Sequence, residues 1–140
     1  SATWTEARFL DGVFPGTFGL LNNVIAGKNV PLVPKRKFNL GADWRFLPRT
    51  HAKASVTYVG EQYLDNDEAN SLGTTIPAYT LVNFRLDHDT GDMLLALTVN
   101  NLTNRKYYAY AVKSQFAATR YNVFPLPERS LYVSAEYRFR

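Results

Sequence analysis

Apolar and polar residues alternate with a period of two in six stretches of the chain, which is the pattern of β-strands with two different faces. The clearest stretch closes the chain, and its apolar face carries Leu131, Val133, Ala135, Tyr137 and Phe139. The other five stretches are residues 2–10, 37–46, 51–58, 82–87 and 93–100, the first with a blurred alternation. No segment combines helical periodicity with helix caps, so the sequence predicts an all-β fold.

Short and long connections between these stretches alternate strictly along the chain. Residues 47–50 and 89–92 are short and rich in turn formers, whereas the connections 11–35, 61–77 and 102–128 are long. Loops of this length are uncommon in compact soluble domains. Short turns at one end and long loops at the other are typical of outer-membrane β-barrels. The alternation therefore indicates antiparallel, up-and-down strands that cross a membrane.

Alternation alone does not say which solvent the apolar faces meet, because a soluble β-sandwich alternates as well. Two observations favour lipid: the polar faces are charged, as a water-filled or plug-filled lumen requires, and aromatic residues gather near strand ends, where an interfacial girdle lies. The charged positions are Lys37, Asp43, Arg45, Lys53, Arg85, Asp87, Glu136 and Arg138, and the aromatic ones are Trp44, Phe46, Tyr58, Tyr79, Tyr137 and Phe139. The alternative is a small self-contained β-barrel or sandwich with a ligand-binding or structural role.

Composition narrows the possible classes of protein. A length of 140 residues suggests one domain. The 16 basic and 12 acidic residues give a mild net charge of +4 and are scattered, which does not favour nucleic-acid binding. The absence of cysteine excludes disulfides and thiolate metal sites. No apolar run approaches the roughly 18 residues of a transmembrane helix.

Three segments towards the end of the chain resemble one known family. They are IPAYTLVNFRL (76–86), GDMLLALTVNNLTNRKYYAY (91–110) and PLPERSLYVSAEYRF (125–139). Together they resemble the C-terminal end of TonB-dependent outer-membrane receptors of the siderophore-receptor type. Two positions depart from the family pattern, because Glu128 stands where the turn before the last strand usually has glycine, and Arg140 follows the usual terminal phenylalanine.

This resemblance implies that residues 1–140 are the C-terminal portion of a receptor whose plug and earlier strands are absent, so that about six strands form part of a large transmembrane β-barrel of about 22 strands. It implies a location in the bacterial outer membrane and the import of a ferric siderophore or similar large nutrient, energised through TonB. The implied partners are outer-membrane lipid, the rest of the receptor with its plug, a TonB-type energy-coupling protein, the barrel-assembly machinery and the ferric siderophore. No cofactor and no enzyme activity are implied, and the sequence offers no nucleophile or oxyanion hole.

Two sets of residues are candidates for function. The resemblance implies that the closing strand carries an assembly signal in Leu131, Val133, Tyr137 and Phe139. Aromatic and cationic residues in the last long connection could bind an anionic ferric chelate by stacking and charge-assisted hydrogen bonds. These candidates are Tyr107, Tyr108, Tyr110, Arg120 and Tyr121. The alternative for this second set is that the side chains cover the barrel rim and pack the loop.

Three further motifs favour structural interpretations. Asn101 begins an Asn-Leu-Thr glycosylation motif, but we expect an asparagine at a strand end to satisfy loop backbone. His51 and His88 have no carboxylate at ligand spacing and do not predict a metal site. The acidic cluster of Asp65, Asp67 and Glu68 lacks the spacing of a calcium loop and predicts a solvated loop.

Overall fold

The computed structural model describes residues 1–15, 22–117 and 119–139, and this part of the chain contains ten β-strands. The strands are β1 Ala2–Trp4, β2 Val13–Pro15, β3 Asn22–Val24, β4 Arg36–Leu47, β5 Thr50–Val59, β6 Tyr79–Asp89, β7 Met93–Asn100, β8 Tyr108–Lys113, β9 Tyr121–Pro125 and β10 Ser130–Tyr137. Among these residues, no helix is long and apolar enough to cross a membrane. Arg140 lies outside the described residues.

Six strands form one antiparallel sheet in the order β1-β4-β5-β6-β7-β10, which follows the order of the chain. These six strands correspond to the six alternating stretches, so the predicted all-β, up-and-down arrangement is confirmed. The other four strands form two hairpins, β2–β3 and β8–β9, within long connections. The first and third long connections therefore have strands of their own.

The first predicted strand, residues 2–10, is wrong beyond Trp4. After β1, the chain runs beside residues 28–35 through irregular backbone bonds, such as Thr5 N–H to the Lys35 carbonyl at 3.0 Å and Phe9 N–H to the Lys28 carbonyl at 2.9 Å. Pro31 and Pro34 in that partner segment have no N–H to donate, so a continuous ladder cannot form.

The strand register collects the apolar positions on one face, because directly paired residues of antiparallel strands share a face. Two rows run across the sheet on this side: Ala42, Ala54, Phe84, Val99 and Leu131, and then Trp44, Ala52, Leu86, Leu97 and Val133. The opposite face carries the rows Asp43, Lys53, Arg85, Thr98 and Tyr132, and Arg45, His51, Asp87, Ala96 and Ser134. The predicted two-faced sheet is confirmed.

Several charges on the polar face are paired within the sheet. Lys53 Nζ lies 3.6 Å from Asp43, and Arg85 lies 2.7 Å from Asp87. Arg138, just after β10, lies 3.2 Å from Asp89. Charged side chains therefore lie on this face as predicted, and Lys53, Arg85 and Arg138 each pair with an aspartate.

Neither face of the sheet forms a hydrophobic core. β4 is exposed at every position although β1 and β5 flank it. Leu40 and Trp44 on its apolar side are 71% and 67% exposed. In a sandwich, a second sheet would cover this face, and the described strands provide none. The buried cluster lies elsewhere, in the long connections, and consists of Leu64, Ile76 and Ala111 with Leu32, Leu72 and Tyr108 against it.

The two short turns lie side by side at one end of the sheet. In the second turn Gly91 has a φ of 102°, which favours glycine, and its N–H donates to the Asp89 carboxylate at 2.7 Å. Arg49 of the first turn donates to the Thr90 carbonyl of the second at 3.1 Å. Glu128, at the position where the family has glycine, is not among the residues with positive φ, so a side chain is accommodated there.

Candidate functional site

The second and third long connections fold into one packed body at the end of the sheet opposite the short turns. We call this body the loop unit and define it as residues 62–76 and 108–125. Asp65 joins its two parts by a parallel bridge, accepting a bond from Lys113 N–H at 2.8 Å and donating to the Ala111 carbonyl at 2.9 Å. Gln62, which is buried, donates to the Ala109 carbonyl at 3.1 Å. The buried apolar cluster fills the space between the two parts.

Asp67 is the polar centre of the loop unit. Its side chain is fully buried at 0% exposure, and its carboxylate lies 3.1 Å from Lys113 Nζ, whose side chain is 14% exposed. The same carboxylate accepts bonds from the backbone N–H groups of Ser71 at 2.9 Å and Leu72 at 3.3 Å. Lys113 also donates to the Ser71 hydroxyl at 2.7 Å. The pairing satisfies a charge whose burial alone would be costly.

The prediction of a solvated acidic loop is therefore wrong. Asp67 is buried, Asp65 accepts a hydrogen bond from the Tyr110 hydroxyl at 2.5 Å, and Glu68 Oε2 is shielded from solvent. The reason lies outside the local sequence, because the cation that neutralises Asp67 is 46 residues away along the chain.

The first long connection is linked to the loop unit by a reciprocal amide contact. Asn29 N–H donates to the side-chain oxygen of Asn70 at 2.7 Å, and Asn70 Nδ2 donates to the Asn29 carbonyl at 3.0 Å. Asn70 has a φ of 50°, a conformation that asparagine adopts more readily than most residues. Sequence reasoning missed Asn29, Asn70 and Lys113, and no local pattern could have shown that they meet.

Three of the five predicted ligand-binding residues are used in packing. The Tyr107 ring lies 4.8 Å from that of Tyr79. Tyr108 packs against the buried cluster. Tyr110 bonds to Asp65, and its ring lies 5.2 Å from that of Phe124. For these three, the loop-packing alternative describes the observed contacts.

The other two candidates, Arg120 and Tyr121, lie at the exposed end of the β8–β9 hairpin. The turn between these strands is closed by Ser114 N–H donating to the Arg120 carbonyl at 2.9 Å. Tyr121 pairs with Lys113 across the hairpin and is 41% exposed. Because Lys113 is held by Asp67, the position of Tyr121 depends on the buried contacts of the loop unit.

Two phenols of the loop unit titrate above their ordinary range. The hydrogen bond to Asp65, together with partial burial and the charge of Asp65, raises the pKa of Tyr110. Burial, with a smaller contribution from Tyr121, raises the pKa of Tyr108. Both side chains are therefore neutral at physiological pH and act as hydrogen-bonding phenols, not as phenolate ligands.

Asn101 satisfies loop backbone as predicted. It is buried, with a φ of 50°, and its side-chain oxygen accepts the Arg105 N–H at 2.9 Å. Its amide nitrogen donates to the carbonyls of Arg105 at 2.9 Å and Pro127 at 3.4 Å. Asn101 thus ties the residues that follow β7 to the segment that precedes β10.

The two histidines are held near the short turns. The Nδ1 atom of His88 lies 2.8 Å from the Thr50 hydroxyl. His51 accepts a bond from Arg45 at 3.1 Å, and its Nδ1 atom lies 3.9 Å from Asp43. Within the part of the chain that the structure describes, no group of three His, Cys, Asp or Glu residues could hold a metal ion.

The closing strand β10 lies at one edge of the sheet and, among the described strands, pairs only with β7. The predicted assembly residues Leu131, Val133, Tyr137 and Phe139 are all exposed, and Phe139 most of all at 90%. The ladder ends at Tyr137, and the Phe139 ring packs edge-on against the Tyr137 ring at 4.9 Å. The last aromatics thus form one exposed apolar group beside an unpaired strand edge.

Comparison with known proteins identifies the family. A family model described as TonB dependent receptor-like, beta-barrel, matches residues 1–102. The metal-pseudopaline receptor CntO of Pseudomonas aeruginosa is 31% identical over 101 residues, which are 69% of this chain and 14% of the receptor. The chain thus spans about one seventh of the length of this curated relative.

Solved structures show the same architecture. The ferric-catecholate import receptor Fiu of E. coli K12, in its closed form, superposes with a TM-score of 0.74 at 19% identity, covering 99% of this chain and 18% of Fiu. The siderophore receptor PiuA of Acinetobacter baumannii superposes with a TM-score of 0.66 at 25% identity, covering 79% of this chain and 14% of PiuA. On this evidence, the chain belongs to the β-barrel family of TonB-dependent receptors, which are proteins of the bacterial outer membrane.

Proposed function

We propose that residues 1–140 are the C-terminal portion of the β-barrel of an active transporter that imports a ferric siderophore or a similar large chelate, energised through TonB. The observation that carries this proposal is the joining of all three long connections at one end of a two-faced sheet. The Asn29–Asn70 contact links the first connection to the second, and the Asp67–Lys113 pair links the second to the third. The names of the relatives, which include receptors for metal-pseudopaline and for ferric catecholates, support a chelate as the transported ligand.

In this proposal the sheet is barrel wall. Its continuous apolar face lies against outer-membrane lipid, and its face of paired charges lies towards the lumen and the plug. The plug and the earlier strands belong to the remainder of the receptor, which pairs with the exposed edges of β1 and β10. The energy-coupling protein acts through the plug, so this chain has no direct contact with it.

The exposed residues Arg120 and Tyr121 are the proposed chelate contacts of this chain. A guanidinium group offers charge-assisted hydrogen bonds to the oxygens of an anionic chelate, and a phenol ring offers a stacking surface. Tyr107, Tyr108 and Tyr110 would then act by holding the hairpin against the rest of the loop unit. This division of roles follows the contacts of the five side chains, because Tyr107, Tyr108 and Tyr110 each pack against or bond to another residue.

Uptake of radiolabelled iron by cells that express the full receptor tests the function. The probes are ⁵⁵Fe bound by a catecholate siderophore and radiolabelled metal-pseudopaline, supplied to cells with and without the energy-coupling protein. We expect one probe to accumulate only when both the receptor and the coupling protein are present. Absence of receptor-dependent uptake of either probe would contradict the proposed substrate class.

Substitution of Arg120 and Tyr121 tests the proposed chelate contact. We expect Arg120→Gln together with Tyr121→Ala to weaken binding of the accepted probe about tenfold or more, since one charged hydrogen bond and one stacking contact are each worth about 1 kcal/mol or more. The matched control is Lys28→Gln, which removes an exposed cation from the first connection. If the double variant and the control bind the probe equally well, the chelate does not contact the exposed end of the β8–β9 hairpin.

A further inference from the structure

A groove with a volume of about 310 Å³ lies where β5 ends and β6 begins, at the same end of the sheet as the loop unit. Tyr58, Thr80 and Val82 line it, and these residues belong to the apolar face, because Tyr58 pairs with both Phe38 and Thr80. Arg105 closes the groove beyond the strand ends. The groove therefore joins the apolar face to a cation at its outer limit.

The backbone of Arg105 is held in place by the buried Asn101. That side chain binds both the N–H and the carbonyl of Arg105, each at 2.9 Å. Asn101 is itself anchored to β6, because its N–H donates to the Asn83 side chain at 3.0 Å. A backbone fixed at both polar groups loses little further entropy when its side chain binds a ligand. The contacts thus present Arg105 at a defined position beside the groove.

The guanidinium group of Arg105 is exposed, and no hydrogen bond or ion pair joins it to any residue that the structure describes. Two other cations at this end of the sheet have partners: Lys106 lies 3.6 Å from Glu128, and Arg36 lies 4.7 Å from the centre of the Trp4 ring. Arg105 therefore places an uncompensated positive charge at the edge of an apolar surface. A planar guanidinium matches the geometry of a phosphate group, to which it can donate two parallel hydrogen bonds.

We infer that this groove binds a lipid with a phosphorylated headgroup, whose acyl chain lies on Tyr58 and Val82 and whose phosphate binds Arg105. Thr80 and Thr103 also line the groove, and a threonine hydroxyl is a group that can donate to headgroup oxygens. The inference rests on the proposed orientation of the apolar face towards membrane lipid. It does not depend on which chelate the receptor transports.

Native mass spectrometry of the purified full receptor in detergent tests the site, with lipid A, dephosphorylated lipid A and inorganic phosphate as probes. We expect lipid A to bind more tightly than its dephosphorylated form. We expect Arg105→Gln to weaken lipid A binding about fivefold, since one cation at a membrane surface contributes about 1 kcal/mol. The matched control is Arg49→Gln, which removes the same charge at the short-turn end of the sheet, and we expect its affinity for lipid A to be unchanged.

Four results would overturn the inference. In the first two, Arg105→Gln binds lipid A as tightly as the unchanged receptor does, or lipid A and its dephosphorylated form bind equally well. In the third, Arg49→Gln weakens lipid A binding as much as Arg105→Gln does. In the fourth, inorganic phosphate binds as tightly as lipid A, which would indicate an anion site without a lipid. If Arg105→Gln does not assemble, Asn101→Ala releases the backbone of Arg105 but keeps its charge, and its affinity should fall by a smaller factor. Failed chelate uptake with intact lipid A binding would contradict the proposed function and support this site.

Discussion

At the scale of single residues, the buried pair of Asp67 and Lys113 has the largest consequences for the candidate site. It joins two connections that are distant in sequence. Lys113 also pairs with Tyr121 across the β8–β9 hairpin, near its exposed end. Removing one partner of a buried ion pair leaves the other charge without compensation. The four donors around the Asp67 carboxylate are the Ser71 and Leu72 N–H groups, the Ser71 hydroxyl and Lys113 Nζ.

Lys113→Met should loosen the contact between the β8–β9 hairpin and residues 62–76. Because Asp67 keeps its bonds to Ser71 and Leu72, we expect a cost at the lower end of the range for a broken buried pair, about 3 kcal/mol. Amide hydrogen exchange in the full receptor measures the effect, as faster exchange in residues 62–76 and 108–125 and unchanged exchange in β5 and β6.

The matched control is Lys106→Met. Lys106 lies 3.6 Å from Glu128 in a pair whose side chains are 81% and 53% exposed, so we expect a cost below about 1 kcal/mol. Similar exchange in the two variants would contradict a special role for the buried pair.

At the scale of elements, the closing strand β10 differs from the strands inside the sheet. Its outer edge has backbone groups without a partner among the described strands, and the exposed Tyr137–Phe139 pair lies at its end. A long exposed edge with apolar side chains pairs readily with another strand. In a closed barrel that partner is the first strand. The same features would make the strand recognisable to the barrel-assembly machinery before closure.

Phe139→Ala in the full receptor should impair outer-membrane insertion more than ligand binding. The ring contacts Tyr137 and lies beyond the last ladder pair, so its loss removes exposed apolar area without disturbing the sheet. Folded receptor in the outer-membrane fraction, quantified by its heat-modifiable mobility in gels, should fall several-fold, whereas the receptor that does insert should bind chelate with unchanged affinity. Leu126→Ala is the control, since Leu126 is an exposed apolar residue outside β10. Normal insertion of Phe139→Ala would contradict the assembly role.

At the scale of the whole molecule, the distribution of buried residues is the opposite of that in a soluble sandwich. β4 and most of β10 are exposed, β5, β6 and β7 are largely half-buried, and the buried cluster lies in the connections. Soluble proteins rarely expose a contiguous apolar surface as large as one side of a six-stranded sheet. In the proposed barrel, lipid would cover the apolar face and the rest of the receptor would continue the sheet at both edges.

The isolated 140-residue chain should therefore associate or precipitate in buffer without detergent. We expect analytical ultracentrifugation to show aggregates in plain buffer and smaller species in detergent micelles. The paired control is a variant with Leu40, Trp44 and Val133 replaced by serine, which should reduce the association by removing exposed apolar area. A sharply melting monomer of the unchanged chain in plain buffer would count against a lipid-facing surface.

The strand order and the two faces of the sheet could be determined from the sequence, because period-two alternation and turn chemistry are local properties. The rows that meet Leu131 and Val133 in the structure join the apolar positions of the alternating stretches. The first strand is the exception, since Pro31 and Pro34 in its partner segment end a ladder that alternation alone predicts.

Only the tertiary structure decided how the long connections are organised and which candidate residues are exposed. Asp67 meets Lys113 across 46 residues and Asn29 meets Asn70 across 41, and such contacts leave no periodic signal in the chain. The same folding turns Tyr108 towards the buried cluster and leaves Tyr121 exposed. The physical reason is that the alternation of apolar and polar residues in a strand is a property of residues adjacent in sequence. Burial of a loop residue depends instead on which distant segment packs against it.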